Sequence, residues 1–394
     1  MNRLLLRVAL ALCATTLPSL SADGQGILFH EDFNNVTTSH TYWTSVHNSY
    51  KDWTIEGAAG GIDPEGNYNN SKRVLIFNYS KGCYATTTAL TKLDGDAILT
   101  FRYYATTDNN ATINITINNS GVFEDSNTNT KSITTQLYHK YYTAVYRIKN
   151  GTAATTITFT RPAEGKSFCI DDVYVLSTTM PMTEAANNAT TLEAYQGLTT
   201  DVTLTRTLKA GIWNTLCLPF DVSTTSFSKG NPQLRLFTSV TDNTLNFTEA
   251  NEVKAGTPFL VKVDEDITNP TFSSVTMETS TPATITHSGV SLAGLFSPYA
   301  MATDGSELFL GIDGNLYQPG NTTNTINGMR AILKATAGAR MMTRIAGDET
   351  TRMDATRLDA KMDKWYTTEG KALLKRPSRK GLYIGSGRKK LIIH

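Results

Sequence analysis

Residues 97–105, AILTFRYYA, alternate in a way that decides the fold class of the chain. Written as an extended strand, the stretch places Ile98, Thr100 and Arg102 on one side and leucine, phenylalanine and tyrosine on the other. Alternation with a period of two residues is typical of a half-buried β-strand. The stretch ATINITINN (111–119) repeats the pattern, with isoleucine at every second position of its centre. Both segments are therefore predicted to be strands whose apolar side faces a core.

Further strands of the same kind follow along the chain. YYTAVYRI (141–148) and TTITFTR (155–161) alternate as well, and the segments between strands are rich in Gly, Asn and Asp. Several short strands separated by turn residues at near-regular spacing are typical of a β-sandwich. Residues 24–177 are therefore predicted to form a β-sandwich, and no helix is predicted in this region.

The composition favours an all-β chain and excludes several classes of protein. The 394 residues carry a net charge of +1, only 18% of them are charged, and the mean hydropathy is -0.24. Threonine, which favours strands, is about one residue in six. These values exclude a coiled coil, a collagen-like chain and a charge-rich disordered protein. They also exclude a polytopic membrane protein, because the chain has one long apolar run, at its N-terminus.

Charge is unevenly distributed along the chain. Residues 340–394 hold 14 Lys or Arg and 6 Asp or Glu, whereas residues 23–339 carry a net charge of about −9. A nucleic-acid-binding protein would be expected to carry its basic residues on a folded face. An acidic body with a basic tail therefore argues against nucleic acid as a partner.

Residues 1–22 are predicted to be a secretory signal peptide. Arg3 and Arg7 accompany an apolar stretch over residues 4–17, and small residues follow. Charged, apolar and cleavage regions occur in this order in such peptides, and the apolar stretch is too short to span a bilayer. Cleavage is expected between Ser21 and Gly24. The mature chain is therefore expected to be secreted or on the outer cell surface, with no transmembrane segment.

Three cysteines remain in the mature chain: Cys83, Cys169 and Cys217. An odd number in an exported protein leaves at least one outside any disulfide. Cys83 and Cys169 lie in the same predicted domain and could pair. The favoured interpretation is that all three are small buried residues on strands, because a disulfide framework is normally denser.

Residues 178–340 are predicted to form a second β domain. Its strand candidates are residues 202–208, 214–220, 257–263, 307–312 and 327–335. The polar residues 341–362 are predicted to be a linker. Residues 363–394 have short apolar stretches between turns, which predicts a small antiparallel module of about three strands.

The final segment resembles the C-terminal sorting domains that the type IX secretion system of Bacteroidetes reads. The matching residues are EGK (369–371), Pro377, KGLYI (380–384) and GRKK (387–390). The resemblance implies that this segment is an address recognised by the secretion machinery, which would then be a partner of the chain. The alternative is an ordinary terminal hairpin.

The middle segment resembles a domain of unassigned role in large surface proteins of the same bacteria. The matching residues are GIWNTLCLPF (211–220), KAGTPFLV (254–261), LFSP (295–298) and NGMRA (327–331). Trp213 belongs to a predicted strand within the first of these. The resemblance implies a scaffold and assigns no chemistry to its residues.

The first domain resembles jelly-roll β-sandwich modules found in bacterial adhesins and as carbohydrate-binding modules. The resemblance lies in the opening FHEDFN (29–34) and the closing FCIDDV (168–173). It implies that the first and last strands lie side by side and that their acidic residues cradle a structural Ca²⁺. Ca²⁺ takes about six to eight oxygen ligands. The expected ligands are the carboxylates of Glu31, Asp32, Asp171 and Asp172 with backbone carbonyls, and the alternative is that these acids are simply exposed at strand ends.

Catalytic motifs are missing from the sequence, so no enzymatic activity is predicted. There is no HExxH, no GxSxG and no pair of cysteines at metal-binding spacing. Asp171 and Asp172 are adjacent, and on a regular strand they would point to opposite faces rather than across one cleft.

Aromatic residues mixed with Asn, Ser and Asp favour a ligand site in the first domain. Sugar rings can stack on aromatic side chains while their hydroxyls bond to amides and carboxylates, as amphipathic aromatics do at wet interfaces. The candidate ligand-binding residues are Tyr42, Trp43, Tyr68 and Tyr84, close to the Gly-rich loop at 57–72. The alternative is that these aromatics belong to the core.

Two hypotheses about function follow. The first is a secreted or cell-surface binding protein, glycan-binding or adhesin-like, whose partner is a glycan or another polymer of a host or cell surface. The second is a structural or assembly protein of the cell surface with no small-molecule ligand. An exposed aromatic platform would favour the first hypothesis, and a buried aromatic set the second.

Overall fold

The structure is a computed structural model. It describes residues 24–35, 53–62, 73–78, 82–106, 108–138, 140–320, 324–336, 342–345, 353–354, 365–367, 372–373, 381–385 and 389–393, with the backbone alone for 59–62 and from 342 onward. The predicted signal peptide lies outside the described residues. So do Tyr42, Trp43 and Tyr68.

Twelve strands build the first unit, which is a β-sandwich. In chain order they are Ile27–Glu31 (β1), Thr54–Glu56 (β2), Ala58–Ile62 (β3), Arg73–Phe77 (β4), Cys83–Thr86 (β5), Gly95–Ala105 (β6), Thr112–Asn118 (β7), Val122–Phe123 (β8), Thr130–Thr134 (β9), Tyr141–Gly151 (β10), Thr156–Arg161 (β11) and Phe168–Ser177 (β12). The prediction of an all-β fold is confirmed, since strands make up 54% of the structure and helices 3%.

The twelve strands form two antiparallel sheets. The first sheet has seven strands: six in the order β3-β4-β12-β6-β10-β8, and β1, which also pairs with β12. The second sheet has five strands in the order β2-β5-β11-β7-β9. Strand β12 is central, because β6 pairs with one side of it while β4 and β1 share the other side. The first and last strands therefore lie side by side, as the jelly-roll resemblance implied.

The core of the sandwich consists of the inward residues of both sheets. Ile113, Ile115 and Ile117 alternate with polar residues along β7 and are at most 1% exposed. Burial of such a side chain stabilises the fold by about 1.5–3 kcal/mol. The ring of Phe101 on β6 meets Phe159 on β11 edge-on, with centroids 5.0 Å apart. The alternation in the sequence thus becomes the contact between the two sheets.

The second unit is also built mainly of strands. They are Thr179–Thr183 (β13), Thr199–Thr205 (β14), Thr207–Leu208 (β15), Trp213–Leu216 (β16), Val222–Ser223 (β17), Gln233–Thr241 (β18), Thr244–Ala250 (β19), Glu252–Val253 (β20), Phe259–Lys262 (β21), Ile267–Thr268 (β22), Thr271–Thr276 (β23), Thr284–His287 (β24), Val290–Leu295 (β25), Tyr299–Ala300 (β26), Glu307–Leu310 (β27), Leu316–Tyr317 (β28), Thr325–Ile326 (β29) and Arg330–Lys334 (β30). One α-helix, Ala189–Ala194 (α1), and a 3-10 turn, Thr224–Ser226, accompany them.

Two larger sheets organise this second unit. One contains the order β16-β21-β18-β19 and the other the order β24-β25-β30-β27-β28. Trp213 and Phe220, which lie within GIWNTLCLPF (211–220), are both buried. Gly256 has a φ of 76° and closes a turn, with its N–H donating to the carbonyl of Leu218 at 2.7 Å. A residue with a side chain is strained at that φ, which accounts for the glycine at this turn.

The sandwich and the second unit share one continuous apolar core. Ile98 and Leu176 of the sandwich belong to the same cluster of buried residues as Met180 and Tyr195 of the second unit. The Tyr195 hydroxyl donates to the backbone carbonyls of Ser177 at 2.9 Å and Gly26 at 3.2 Å. Packing and hydrogen bonds therefore join the end of the sandwich directly to α1.

The remaining strands lie toward the C-terminus. They are Met342–Ile345 (β31), Met353–Asp354 (β32), Trp365–Thr367 (β33), Ala372–Leu373 (β34), Gly381–Gly385 (β35) and Lys389–Ile393 (β36). β31 pairs in parallel with β19 and β32 pairs with β31, so the segment predicted as a linker contributes two strands to a sheet of the second unit. The last four strands form a sheet in the order β34-β33-β35-β36, one strand more than the sequence suggested.

The three cysteines are buried thiols rather than members of disulfides. Cys83 lies in the sandwich core and Cys169 on the outer side of the seven-stranded sheet, so the two residues belong to different layers. This confirms the interpretation of the cysteines as small buried residues. Among the described residues, no helix is long and apolar enough to cross a membrane.

Candidate functional site

The outer face of the seven-stranded sheet is largely covered. Every residue of β6 from Ala97 to Ala105 is buried, so both sides of this central strand are shielded from solvent. On the outer side, Ile98 packs in the core shared with the second unit, and Tyr104 packs with Val74 and Cys169. Little of the middle of this face is therefore open to a ligand.

Arg102 lies at the centre of this face and binds two carboxylates. Its Nη2 is 2.5 Å from Asp171 Oδ2 and its Nε is 2.8 Å from Asp172 Oδ2. Its guanidinium also lies over the ring of Tyr141, 4.3 Å from the centroid. Burial acts to lower the pKa of Arg102, but the charges of Asp172 and Asp171 outweigh it and raise that pKa. The guanidinium therefore stays charged.

Both aspartates reach the same guanidinium because β12 is irregular at this point. The register with β6 shifts between Asp171 and Tyr174, and Asp172 has a φ of 45°. The expectation that the two side chains point to opposite faces is therefore wrong. Burial raises the pKa of Asp172, and the charge of Arg102 opposes that rise only in part.

The four predicted calcium ligands are engaged with protein donors. Glu31 Oε1 accepts from the Phe33 N–H at 2.8 Å, and Asp32 accepts from the backbone and side chain of Asn34. Asp171 and Asp172 bind Arg102. Within the described ranges, no three His, Cys, Asp or Glu side chains are grouped so that they could hold a metal ion. This donor set does not fit Ca²⁺, which needs several oxygens directed at one point.

The outer face of the five-stranded sheet has a different character. Its strands alternate between inward residues, which are buried on every strand but β9, and outward polar residues, which are half-buried or exposed. The outward residues, which we call the hydroxyl face, are Thr54, Glu56, Tyr84, Thr86, Thr112, Asn114, Thr116, Asn118, Thr130, Ser132, Thr134, Thr156, Thr158 and Thr160. Glu56 is the one charged residue among them.

Cross-strand hydrogen bonds hold the side chains of the hydroxyl face in place. The hydroxyls of Thr86 and Thr158 are hydrogen-bonded at 2.8 Å, and Asn118 Nδ2 donates to the Thr158 hydroxyl at 2.9 Å. On the other side of β7, Ser132 donates to Asn114 Oδ1 at 2.7 Å. Cross-strand pairs of this kind add about 0.2–1 kcal/mol each, and they also fix the rotamers of the face.

Tyr84 is the one predicted ligand-binding residue within the described part of the chain, and it lies on the hydroxyl face. It stands between Glu56 on β2 and Thr160 on β11. Burial, followed by the charge of Glu56 and a hydrogen bond to its side chain, raises the pKa of Tyr84. Tyr84 therefore remains a neutral phenol, able to donate and accept hydrogen bonds.

The structure separates the predicted binding residue from the predicted metal ligands. Tyr84 lies on the five-stranded sheet, whereas Asp171 and Asp172 lie on the seven-stranded sheet. The threonines and asparagines of the hydroxyl face were not singled out from the sequence. The alternation of residues 111–119 would have revealed them, because its outward positions are all Thr or Asn.

Comparison with known proteins gives matches only among solved structures. No protein-family model matches the chain, and no curated protein matches it. The CBM22-1 xylan-binding domain from Paenibacillus barcinonensis Xyn10C is 14% identical, with 40% of this chain and 97% of that domain covered and a TM-score of 0.26. A cleaved adhesin domain of Lys-gingipain from Porphyromonas gingivalis is 15% identical, with coverage of 38% and 97% and a TM-score of 0.27.

A third match is the C-terminal family 22 carbohydrate-binding module of Clostridium thermocellum Xyn10B. It is 12% identical, with 40% of this chain and 97% of that module covered and a TM-score of 0.25. These three matches are thus carbohydrate-binding and adhesin domains. At these TM-scores the likeness assigns no function to this chain, so any function must be argued from its own residues.

Proposed function

We propose that the chain is a secreted or cell-surface binding protein without catalytic activity, and that its sandwich binds glycans through the hydroxyl face. The observation that carries the proposal is the chemistry of that face. Hydroxyls and amides occupy nearly every outward position, with one phenol at Tyr84 and one carboxylate at Glu56. Sugar hydroxyls form hydrogen bonds with groups of this kind, and a tyrosine ring can cover the apolar side of a sugar.

The layout of the hydroxyl face suits an extended polymer. Neighbouring strands of a sheet lie about 4.8 Å apart, and outward residues recur about every 6.8 Å along a strand. Donors and acceptors are therefore repeated over five strands rather than gathered into a pocket. Because side chains such as Thr86, Asn118 and Thr158 are already hydrogen-bonded, less rotamer freedom is lost when a ligand binds.

The charge of the chain favours a neutral glycan. The hydroxyl face carries no Lys or Arg, and residues 23–339 have a net charge of about −9. An anionic polysaccharide would be repelled, since like charges across an interface are unfavourable. The proposed partner is therefore an uncharged polysaccharide.

Export by the type IX system belongs to the same proposal. Residues 1–22 would direct the chain out of the cytoplasm, and the segment at 363–394 would be read by the secretion machinery. Deletion of residues 363–394 is expected to retain the protein inside the cells of a Bacteroidetes host, while Asp242→Asn in the exposed turn between β18 and β19 leaves export intact. Normal export of the shortened chain would contradict this part.

A structural role is the second candidate, and two observations favour it. Trp53 is buried in the sandwich core, 1% exposed, instead of forming part of an exposed platform. The continuous core between the two units also suits a chain that spaces and displays domains at a surface. In this case the hydroxyl face would be solvated and would bind no glycan.

A glycan-binding assay on the chain from Gly24 onward distinguishes the two candidates. Thr160 lies at the centre of the hydroxyl face between Tyr84 and Asn114. Thr160→Lys is expected to lower affinity for a neutral polysaccharide by tenfold or more. The matched control is Thr143→Lys, an exposed threonine on β10 of the other sheet, which should bind as the wild type does. Absence of binding by the wild type, or equal loss in both variants, would refute the proposed face.

A further inference from the structure

The pairing of the five strands arranges the hydroxyl face in rows. Outward residues of neighbouring strands lie beside one another, and two rows cross the whole sheet in the order β2-β5-β11-β7-β9. The first, which we call the threonine row, consists of Thr54, Thr86, Thr158, Thr116 and Thr130. The second, which we call the mixed row, consists of Glu56, Tyr84, Thr160, Asn114 and Ser132.

These two rows set the long direction of the hydroxyl face. Neighbouring strands lie about 4.8 Å apart, so each row is about 19 Å long. Along the strands the face is shorter at one side, because β2 and β5 contribute only the residues of the two rows. The remaining outward residues pair over two strands, Thr156 with Asn118 and Thr112 with Thr134. A ligand that contacts all five strands must therefore lie across them.

The centre of the mixed row is open to a ligand. The Tyr84 hydroxyl is hydrogen-bonded to the side chain of Glu56, and Ser132 donates to Asn114 Oδ1 at 2.7 Å. Thr160 lies between these two pairs, and its hydroxyl has no hydrogen-bond partner in the protein within the described part of the chain. A hydroxyl of a ligand can therefore bond to Thr160 without first breaking a bond within the protein.

The twist of a sheet decides what form of ligand fits along such rows. Neighbouring strands are rotated by about 20–25° on average, so the outward direction turns by roughly 80–100° over five strands. A flat crystalline surface would contact only part of a row that turns in this way. A single chain can rotate about its glycosidic bonds and follow the row from end to end. The geometry therefore favours a separate polysaccharide chain over a crystal face.

We infer, on the basis of the proposed function, that the hydroxyl face binds a single extended β-1,4-linked glycan chain that lies across the strands between the two rows. Each sugar lengthens such a chain by a distance close to the strand spacing of about 4.8 Å. One sugar therefore faces each strand, and five sugars cover the face. Hydroxyls on one edge of the chain bond to the threonine row and those on the other edge to the mixed row, where the ring of Tyr84 can cover a sugar. A helical α-1,4-linked chain curls away from the rows and contacts fewer strands.

Isothermal titration of the chain from Gly24 onward with cello-oligosaccharides of two to six sugars tests this inference. Affinity should rise with each sugar up to five and then level off, and cellopentaose should bind at least about tenfold more tightly than cellotriose. Maltopentaose, which has the same sugars in α-1,4 linkage, should also bind at least about tenfold more weakly than cellopentaose.

Three results would overturn the inference: equal binding of cellotriose and cellopentaose, equal binding of the two pentaoses, or no binding of cellopentaose at millimolar concentration. If a different neutral polysaccharide then bound to the wild type but not to Thr160→Lys, the proposed function would stand and only this inference would fail.

Two lysine variants of β9 test the direction of the bound chain. Thr130 ends the threonine row, whereas Thr134 lies on the same strand outside both rows. Both are exposed, and each is hydrogen-bonded to a threonine of β7, at 3.3 and 3.0 Å respectively. Thr130→Lys and Thr134→Lys should therefore change thermal stability to a similar extent.

Only Thr130→Lys is expected to weaken the binding of cellopentaose, by about fivefold or more. Thr134→Lys should bind as the wild type does. Equal loss in the two variants, loss in Thr134→Lys alone, or no loss in either would overturn the inferred direction of the chain.

Discussion

Removal of the Arg102 side chain should destabilise the sandwich strongly and in a manner that depends on pH. Arg102→Met keeps the length of the side chain but leaves Asp171 and Asp172 without their shared cation. The side chains of these aspartates are 0% and 14% exposed. Loss of one partner from a buried ion pair costs about 3–5 kcal/mol, because a buried charge is left uncompensated.

The sign of the pH dependence follows from the aspartates. Burial already raises the pKa of Asp172 in the presence of Arg102, so loss of the guanidinium must raise it further. A carboxyl group whose folded pKa is raised destabilises the fold most above that pKa. This penalty shrinks as the pH falls below the folded pKa and is gone only below the pKa of the unfolded chain. The stability deficit of Arg102→Met relative to the wild type should therefore be largest near neutral pH and should shrink in acid.

Equilibrium unfolding by urea at about pH 7.5 and about pH 5 measures both effects. The control is Lys209→Met, which breaks an exposed pair with Asp266 at 2.7 Å and should cost far less than Arg102→Met does. The double variant Arg102→Met with Asp171→Asn should recover part of the loss. A deficit below about 1 kcal/mol for Arg102→Met, or one that does not change with pH, would refute the reasoning.

Three further predictions concern packing, thiols and metal. Gly294→Ala places a Cβ 2.5 Å from Cys217 Sγ and should lower the free energy of unfolding by about 1–3 kcal/mol. The further substitution Cys217→Ala should restore part of this loss, and unchanged stability of the single variant would contradict the packing. The thiols of Cys83, Cys169 and Cys217 are buried, and burial raises the pKa of Cys217. A thiol reagent should therefore label these residues only after denaturation, and rapid labelling of the folded chain would contradict their burial. The melting temperature should be the same in Ca²⁺ and in a chelator, because the carboxylates of Asp171 and Asp172 already bind Arg102; a clear rise in Ca²⁺ would restore the predicted calcium site.

The strands of the sandwich could be read from the sequence because their two faces meet different surroundings. Residues 97–105 and 111–119 alternate, and they form β6 and β7 almost as predicted. The outer side of β6 was harder to interpret. Ile98 faces the second unit and Arg102 faces two aspartates, and both environments arise from segments distant in sequence. The strands β31 and β32 were missed because a short polar strand becomes stable only when a sheet edge such as β19 is available.

The candidate sites were less predictable than the fold. Tyr84 was identified from its side chain, but its place on the hydroxyl face depends on the pairing of β5 with β2 and β11. The irregular register of β12 could not be foreseen from two adjacent aspartates, and it decides that both bind Arg102. Asp96 and Asp201 line one cleft although they are distant in sequence, because the two units pack against each other there.

The position of β12 has a mechanical consequence. Any tension on the chain beyond Ser177 enters the sandwich along the length of this strand, which is held by β6 on one side and by β4 and β1 on the other. Hydrogen bonds of an antiparallel ladder run perpendicular to the strands, so such a pull loads them in shear, many at once rather than one after another. If the protein were attached to a surface near its C-terminus and pulled by a ligand on the sandwich, the sandwich would therefore resist the extraction of β12.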